Sequence, residues 1–377
     1  MGLSVGVVPP SAILPNASVP TCLTLLSEQL FSAARRLPLV TTEAADVILI
    51  GLDTYVQSTW PTGKCHRSGS VGWARSSSIC EDCNTSPWLD VASDSIESWL
   101  GRRRAAQQQT QPNVERACKP TVIAFAPIIS GPDEQHGHPR LLRRFFQHDL
   151  CVVRLLGDAV HGVYRQGVDI SFPSQLKPHI GRTYGTFAPL RGPKAHLLGF
   201  QGSTLASREL ATPIALHHMR FFREEAIRIL KSDDKQDEMA LRVVPKSTSA
   251  MQEAHNSAYP FVDAMNSTFC LVLRGSSCYT WRLLECLFFG SIPVIVADEM
   301  VLPFSELLNW DTFAVRWAWP QIHLLPAHLR ALRQSAGRVE SMQRRGQQVW
   351  RRHFRGPDEH MATVIQILER RRFTAAR

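Results

Sequence analysis

The residues best suited to chemistry lie between two apolar runs, in the segment RGSSCYTWRLLE from Arg274 to Glu285. Gly275, Ser276 and Ser277 are small, so a ligand can approach the backbone there closely. A loop that follows a buried strand and opens a helix presents unpaired backbone N–H groups, which favour an anion. The segment therefore predicts a phosphate-binding loop.

Three side chains extend this predicted site into the helix. Arg282 and Glu285 are three positions apart and so share a helix face. A guanidinium matches a diphosphate, and a carboxylate matches a pair of ribose hydroxyls. Thr280 can cap the helix or donate to a phosphate oxygen. The residues alone leave two interpretations open: a nucleotide-sugar pocket, or a surface ion pair beside a plain strand-to-helix turn.

The nine cysteines indicate no metal centre. Cys80 and Cys83 form a C-x-x-C, but no second pair follows, so a zinc ribbon is not supported. With Cys65 they suit a disulfide-pinned loop in an oxidising compartment. Cys270 and Cys286 lie in apolar runs and are predicted to be buried thiols.

Composition indicates a globular protein with a basic surface. A length of 377 residues favours two domains, and 44% hydrophobic with 20% charged residues excludes a disordered chain. The formal net charge of +9 favours acidic partners. The basic clusters near residues 101, 344 and 369 lack any nucleic-acid-binding motif, so we interpret them as solvated faces and predict no nucleic-acid partner.

The elements that must position the site alternate between buried strands and amphipathic helices, which predicts an α/β fold of parallel sheets. The predicted strands are 43–52, 121–129, 151–156, 195–203, 241–245 and 268–273. Residues 164–178 are rich in Gly and Pro and are predicted to separate two doubly wound halves. Such halves bind ligands at the carboxyl ends of their strands.

The segment from Met265 to Val315, MNSTFCLVLRGSSCYTWRLLECLFFGSIPVIVADEMVLPFSELLNWDTFAV, resembles the C-terminal signature of exostosin-type glycosyltransferases. That signature runs S-x-F-C-L-x-P-x-G, R-L-x-E-A, G-C-I-P-V-I and L-P-F-x-x-x-x-x-W-x-x-F-x-V. Shorter segments match as well: EAADVILI, YRQGVDISFP and HLLGFQGSTLASREL. The resemblance extends from about residue 43 to residue 354.

The resemblance implies a GT-B fold, with two Rossmann-like domains and a donor-binding cleft between them. Residues 1–170 would form the acceptor-side domain, 171–340 the nucleotide-sugar-binding domain, and 341–377 helices packing back toward the first domain. The family transfers sugars from UDP-sugars to glycans with inversion, in the Golgi. The implied partners are a UDP-sugar, a glycan or glycoprotein acceptor, and either a second copy or another glycosyltransferase.

Site residues carry over from the family only where this sequence matches its motifs. Glu285 would take the ribose, Arg282 the diphosphate, and Arg208 would face the phosphates across the cleft. The matching positions are Gly202, Arg208, Gly275, Ser276, Ser277, Thr280, Arg282 and Glu285 for the donor nucleotide, and Asp298, Pro303 and Phe304 for the vicinity of the donor sugar.

The sequence also departs from the family pattern. Leu273 replaces Pro, Ser276 stands where an acidic residue is common, Cys286 replaces Ala, and Ser291 replaces the Cys of G-C-I-P. Because of these changes, the resemblance does not determine which sugar is transferred. The changes also leave open a second function, a non-catalytic GT-B-like module that binds an acidic glycan or nucleotide.

An inverting transfer needs a general base and a stabilised leaving diphosphate. Arginines and a helix N-terminus can supply the second, and no D-x-D motif stands out, so we expect no metal requirement and no tightly bound cofactor. Candidates for the base near the expected cleft are Asp169, His161 and Asp149, together with His148; none is assigned.

The first fifteen residues contain no basic stretch followed by an uninterrupted apolar run, since Pro9, Pro10 and Pro15 break them. No signal peptide or anchor is therefore expected within the sequence given. The family resemblance implies the Golgi lumen, with membrane association if a leader or anchor is missing from this chain. Sequons at Asn16, Asn84 and Asn266 agree with a lumenal location.

Overall fold

Ten strands among the described residues form two parallel sheets. The computed structural model describes residues 5–8, 33, 47–53, 121–126, 152–157, 159, 161, 164–173, 180, 193–202, 213–234, 238–243, 258–274 and 280–375. The strands are β1 (Val5–Val8), β2 (Val47–Asp53), β3 (Thr121–Ala126), β4 (Val152–Leu156), β5 (Ile170–Ser171), β6 (His196–Gly202), β7 (Met239–Val243), β8 (Ser267–Leu273), β9 (Ile292–Val296) and β10 (Val315–Arg316).

The α-helices are α1 (Pro213–Ser232), α2 (Ala258–Met265), α3 (Arg282–Phe288), α4 (Leu325–Gln334), α5 (Ala336–Val349) and α6 (Pro357–Ala375). Short 3-10 turns span Trp310–Thr312 and Trp319–Leu324, and a π-helical turn at Trp350–Phe354 precedes α6. None of the described helices is long and apolar enough to cross a membrane.

The first sheet has the order β1-β2-β3-β4-β5, with every pair parallel. Two of its strands were not expected from the sequence. β1 lies in the proline-interrupted N-terminus, and β5 lies inside the segment predicted to separate the two halves. With only two residues, β5 is too short to show a strand periodicity.

The second sheet has the order β10-β9-β8-β6-β7, again with every pair parallel. Every residue of β8 is buried, as expected for a central strand of a parallel sheet. Gly199 of β6 allows the backbone of α2 to pack closely, because a Cβ there would lie 1.8 Å from the carbonyl oxygen of Ala264.

The two faces of β8 contribute to different hydrophobic cores. Phe269, Leu271 and Leu273 point into a core with residues of α1 and α4. Cys270 and Val272 point into a second core, which also contains residues of α3, α6, β4 and β5. The alternation follows from the two-residue period of a strand. Helix α3 therefore packs on the face of β8 that carries Cys270 and Val272.

Residues 168–172 contact both the segment after β9 and the terminal helix. The Phe304 N–H donates to the Ser171 carbonyl at 2.8 Å, and Ser171 Oγ donates to the Val301 carbonyl at 2.7 Å. From α6, Arg371 donates to the carbonyls of Val168 and Asp169 at 2.6 and 2.7 Å.

The predicted α/β class with parallel sheets is therefore confirmed. The GT-B arrangement of two domains around a cleft, with boundaries near residues 170 and 340, stays a prediction.

Candidate active site

The candidate site lies at the carboxyl edge of the second sheet. Because its strands are parallel, β6, β8, β9 and β10 end at the same edge, at Gly202, Leu273, Val296 and Arg316. Of the predicted donor-binding residues, Gly202, Thr280, Arg282 and Glu285 lie within the structure that is described. Arg208, Gly275, Ser276 and Ser277 lie outside the described residues.

Arg282, the first residue of α3, is held by several contacts. Its backbone N–H donates to Thr280 Oγ1 at 3.3 Å, just before the helix begins. Its guanidinium lies 2.7 Å from a carboxylate oxygen of Glu285, donates to the Gln201 carbonyl, and sits 4.9 Å from the ring centroid of Phe261. Arg282 thus ties α3 to the end of β6.

The Arg282–Glu285 pair is buried, with 8% and 0% of the two residues exposed. The alternative of a surface ion pair is therefore wrong. Burial lowers the pKa of Arg282, and the charge of Glu285 opposes that shift. The proposed contacts of Arg282 with a diphosphate and of Glu285 with a ribose stay predictions.

Two further arginines stand at the same edge, and the sequence did not single them out. Arg274 directly follows β8, and Arg223 on α1 donates from Nε to the Arg274 carbonyl at 2.8 Å. Burial, and after it the charge of Arg282, lowers the pKa of Arg223 to about 10. We call Arg223, Arg274 and Arg282 the arginine cluster. Arg274 could have been noticed as the first polar residue after the apolar run, whereas Arg223 carries no local signal.

Aromatic rings flank the arginine cluster. The guanidinium carbon of Arg274 lies 5.6 Å from the ring centroid of Phe222. Phe222 also meets Trp319 edge-on, with ring centroids 4.5 Å apart. The carboxylate of Asp298, predicted to lie near the donor sugar, accepts the Trp319 N–H at 3.2 and 3.3 Å. Asp298 therefore holds the segment that follows β10 against the edge.

A second charged group lies beside β4 and β5, formed by Arg154, Arg165 and Asp169, which we call the hinge ion-pair cluster. Asp169 is fully buried, and its carboxylate accepts from Arg154 Nε at 3.0 Å and from Arg165 Nη2 at 2.7 Å. Burial alone would raise the pKa of Asp169, but the hydrogen bonds from both arginines lower it below its ordinary value. A carboxylate with so low a proton affinity is a weak general base.

The other predicted base residues are less informative. His161 is exposed, and its backbone N–H donates to the Glu299 carbonyl at 3.1 Å. Asp149 and His148 lie outside the described residues. Neither Asp169 nor His161, the two candidates within the described residues, is assigned as the general base.

Pro303 and Phe304, predicted to lie near the donor sugar, are both buried. Phe304 is 1% exposed and stacks on Phe354 with ring centroids 5.7 Å apart. Its φ of 53° is unusual for a bulky residue, and the hydrogen bond to the Ser171 carbonyl helps to hold it. In the described arrangement Phe304 is a core residue.

Cys270 and Cys286 form a disulfide, which corrects the prediction of two buried thiols. Strand β8 and helix α3 pack so closely that the two Cα atoms are 5.7 Å apart, although 16 residues separate them in sequence. Cys286, a departure from the family pattern, thus provides the partner for Cys270. Ser291, a second departure, donates to the carbonyls of Met265 and Ser267 at 3.0 and 2.8 Å.

Within the part of the chain that the structure describes, no three His, Cys, Asp or Glu side chains are grouped to hold a metal ion. Whether binding is independent of metal stays a prediction.

Comparison with known proteins agrees with the motif. The model of the Exostosin GT47 domain matches residues 135–332, more than half of the chain. Exostosin-1a of Danio rerio is 28% identical over 221 residues, covering 55% of this chain and 28% of the relative. Exostosin-1 of Bos taurus is 27% identical over 223 residues, covering 56% of this chain and 28% of the relative. The chain thus spans little more than a quarter of these relatives, and it belongs to the exostosin GT47 family.

Proposed function

We propose that the protein is an inverting glycosyltransferase that transfers a sugar from a UDP-sugar to a glycan or glycoprotein acceptor. The observation that supports this most directly is the arginine cluster. It places three guanidiniums and the carboxylate of Glu285 at the carboxyl edge of a parallel sheet. Ligands of such folds bind at this edge, and an excess of positive charge favours a diphosphate.

The proposed chemistry is a single displacement at the anomeric carbon. The acceptor hydroxyl loses its proton to a base while the bond to the UDP diphosphate breaks, so negative charge grows on the leaving group. Fixed guanidiniums stabilise that charge without having to reorganise. Arg208 and the loop containing Gly275, Ser276 and Ser277 would contribute from outside the described residues.

The general base is not assigned by this proposal. Asp169 is the least suited candidate, because its hydrogen bonds to Arg154 and Arg165 stabilise the charged form. His161 and Asp149 remain proposals. The pH dependence of kcat, measured on single variants of each, would identify the base.

Calorimetric titration of UDP tests the donor site. Glu285→Gln removes charge-assisted hydrogen bonds, each worth roughly 1.5–3 kcal/mol, so we expect UDP affinity to fall tenfold or more. Arg282→Lys should also weaken binding, because an ammonium lacks the planar fork by which Arg282 holds Glu285 and the Gln201 carbonyl at the start of α3. Each variant is checked for folding by its thermal midpoint, since both residues are buried. Unchanged UDP affinity in both folded variants would refute this assignment, and EDTA in the same cell tests metal independence.

The alternative function is a non-catalytic module that binds a nucleotide or an acidic glycan. The ion pairs of Asp169 with Arg154 and Arg165 favour this alternative, because they make one candidate base unsuited to proton transfer. A panel of UDP-sugars and acceptors separates the two functions. Binding of UDP without turnover of any sugar would favour the module, whereas release of UDP that depends on acceptor would establish the transferase.

The proposed location is the Golgi lumen, in assemblies with a second copy or with another glycosyltransferase. Asn84 is the best candidate for glycosylation because it lies in a polar loop by sequence. Endoglycosidase treatment of the native protein should therefore increase its electrophoretic mobility. An unchanged mobility together with a cytosolic distribution would argue against the lumen.

A further inference from the structure

Arg282 has both terminal nitrogens of its guanidinium engaged within the protein. One nitrogen lies 2.7 Å from Glu285, another donates to the Gln201 carbonyl, and only 8% of the residue is exposed. The face of the guanidinium is directed at the Phe261 ring. These contacts suit a residue that fixes the start of α3, and they leave little of the guanidinium for a ligand.

Arg274 also lies over a phenylalanine ring, but it differs from Arg282 in its exposure and in the engagement of its terminal nitrogens. It is partly exposed, it follows the last residue of β8, and its side chain stacks over Phe222 at 5.6 Å. Among the described residues, the buried Nε–H groups of Arg274 and Arg282 both lack a hydrogen-bond acceptor, but Arg282 has both terminal nitrogens engaged within the protein. A buried donor without an acceptor costs free energy, and an anionic oxygen would remove that cost.

The position of Arg274 is fixed from α1. The Arg223 side chain donates from Nε to the Arg274 carbonyl at 2.8 Å, across 51 residues of sequence. The adjacent Phe222 supports the Arg274 side chain, and Trp319 in turn packs against Phe222. The carbonyl and the side chain of Arg274 are thus both held by α1.

Charge in this region favours a bound anion. Arg223 and Arg282 lie close enough for their charges to repel, and this repulsion adds to burial in lowering the pKa of Arg223 to about 10. A ligand with two negative charges between the arginines would reverse that repulsion.

We propose that Arg274 is the arginine that contacts the donor diphosphate, with Arg223 as its positioning residue and Arg282 as the anchor of α3. This inference rests on the proposed function, because it names the residues by which the same site holds UDP. It departs from the assignment implied by the family resemblance, in which Arg282 takes the diphosphate.

The experiment is a calorimetric titration of UDP into the full chain and its variants. Arg274→Gln removes the charge and the fork, so we expect at least a tenfold loss of affinity. Arg274→Lys keeps the charge alone and should give an intermediate loss. Arg330→Gln is the matched control, because Arg330 pairs with Asp233 and Glu238 at the opposite, amino edge of the same sheet. The control should bind UDP within twofold of the wild type.

A double variant tests the role of Arg223. If Arg223 acts through Arg274, Arg223→Gln should weaken UDP binding in the wild-type background and add little in the Arg274→Gln background. Additive losses would show that Arg223 contacts the ligand itself and would overturn its positioning role.

Three outcomes would overturn the assignment of Arg274. UDP affinity unchanged in a folded Arg274→Gln protein is the first. A loss in Arg282→Lys without a loss in Arg274→Gln is the second, since the diphosphate would then be held by Arg282. The third applies if Arg274→Gln does not fold: Arg274→Lys is then measured instead, and wild-type UDP affinity in that variant overturns the assignment. A wild type that fails to bind UDP overturns the proposed donor class, and this inference with it, which is a different result from the other three.

Discussion

The hinge ion-pair cluster and the arginine cluster each combine a buried ion pair with partly buried arginines, but their charges are arranged differently. In the hinge ion-pair cluster, two guanidiniums converge on Asp169, and both carboxylate oxygens accept hydrogen bonds. In the arginine cluster, Glu285 meets Arg282, and Arg223 and Arg274 add two further positive charges.

The difference separates a structural site from a candidate binding site. A carboxylate whose oxygens are all engaged has no capacity left for substrate, although it can hold β4 against the turn before β5. A cluster with more guanidiniums than carboxylates is stabilised when an anion arrives. The presence of buried charge is therefore a poor guide to function. The ratio of guanidiniums to carboxylates in a buried cluster is a better one.

The largest expected effect is in the hinge ion-pair cluster. Asp169→Asn leaves the buried Arg154 and the partly buried Arg165 without their carboxylate, so we expect a loss of about 3–5 kcal/mol in the free energy of unfolding. Urea denaturation measures this loss. UDP affinity of the folded variant should equal that of the wild type, because the oxygens of Asp169 are engaged by arginines and are not proposed to contact a ligand. A stability loss below about 1 kcal/mol would mean that this cluster is not closed to solvent.

The second largest effect should be the loss of folding stability at low pH, which we expect to arise at His360. His360 is 2% exposed between the rings of Phe172 and Phe304, and burial lowers its pKa to about 4. The unfolded chain keeps an ordinary histidine pKa near 6.5, so it binds the proton first as the pH falls. Stability is therefore complete above about pH 6.5 and declines toward pH 4, by roughly 3 kcal/mol for this shift.

Denaturation at a series of pH values checks this decline. His360→Leu removes the titrating group and should flatten much of the curve, while His353, whose pKa burial also lowers to about 4, accounts for part of the remainder. Asp169 has its pKa lowered from 3.8, so its contribution is lost only below the histidine range. An unchanged slope in His360→Leu would contradict the role given to His360.

The sequence predicted the helices and strands that carry clear periodicity, and it missed features that depend on tertiary contacts. β8 and α3 follow from their apolar patterns, whereas β10 has only two residues and no usable pattern. Disulfide pairing depends on how β8 packs on α3, and spacing does not encode it.

The partners of the charged residues were equally hidden from the sequence. Arg223 reaches Arg274 across 51 residues, and Arg154 reaches Asp169 across 15. No local rule links such positions, whereas Arg282 and Glu285 could be paired because they share a helix face. The sequence therefore predicted a site at the carboxyl edge of the second sheet, but not which of its arginines are engaged within the protein.

A smaller effect is expected at Arg371, which joins α6 to the hinge. Its guanidinium donates to the Val168 and Asp169 carbonyls and pairs with Glu306. Arg371→Gln should cost roughly 1–3 kcal/mol, because hydrogen bonds from a charged donor are lost at a partly buried position. Urea denaturation measures it, and Arg371→Lys should restore part of the loss. A loss equal to that of Asp169→Asn would show that the hinge ion-pair cluster depends on α6.

The smallest effect should come from an ion pair that is fully hydrated. Arg344 and Glu340 lie four residues apart on α5 with 63% and 73% of their side chains exposed, and their nearest charged atoms are 3.0 Å apart. Water screens such a pair, and ordering two long side chains costs entropy, so Glu340→Gln should change the free energy of unfolding by about 0–1 kcal/mol. The same urea titration measures it, and 1 M salt should remove most of the difference from the wild type. If Glu340→Gln instead cost as much as Asp169→Asn, burial would not be what distinguishes these ion pairs, and the contrast between the two clusters would lose its physical basis.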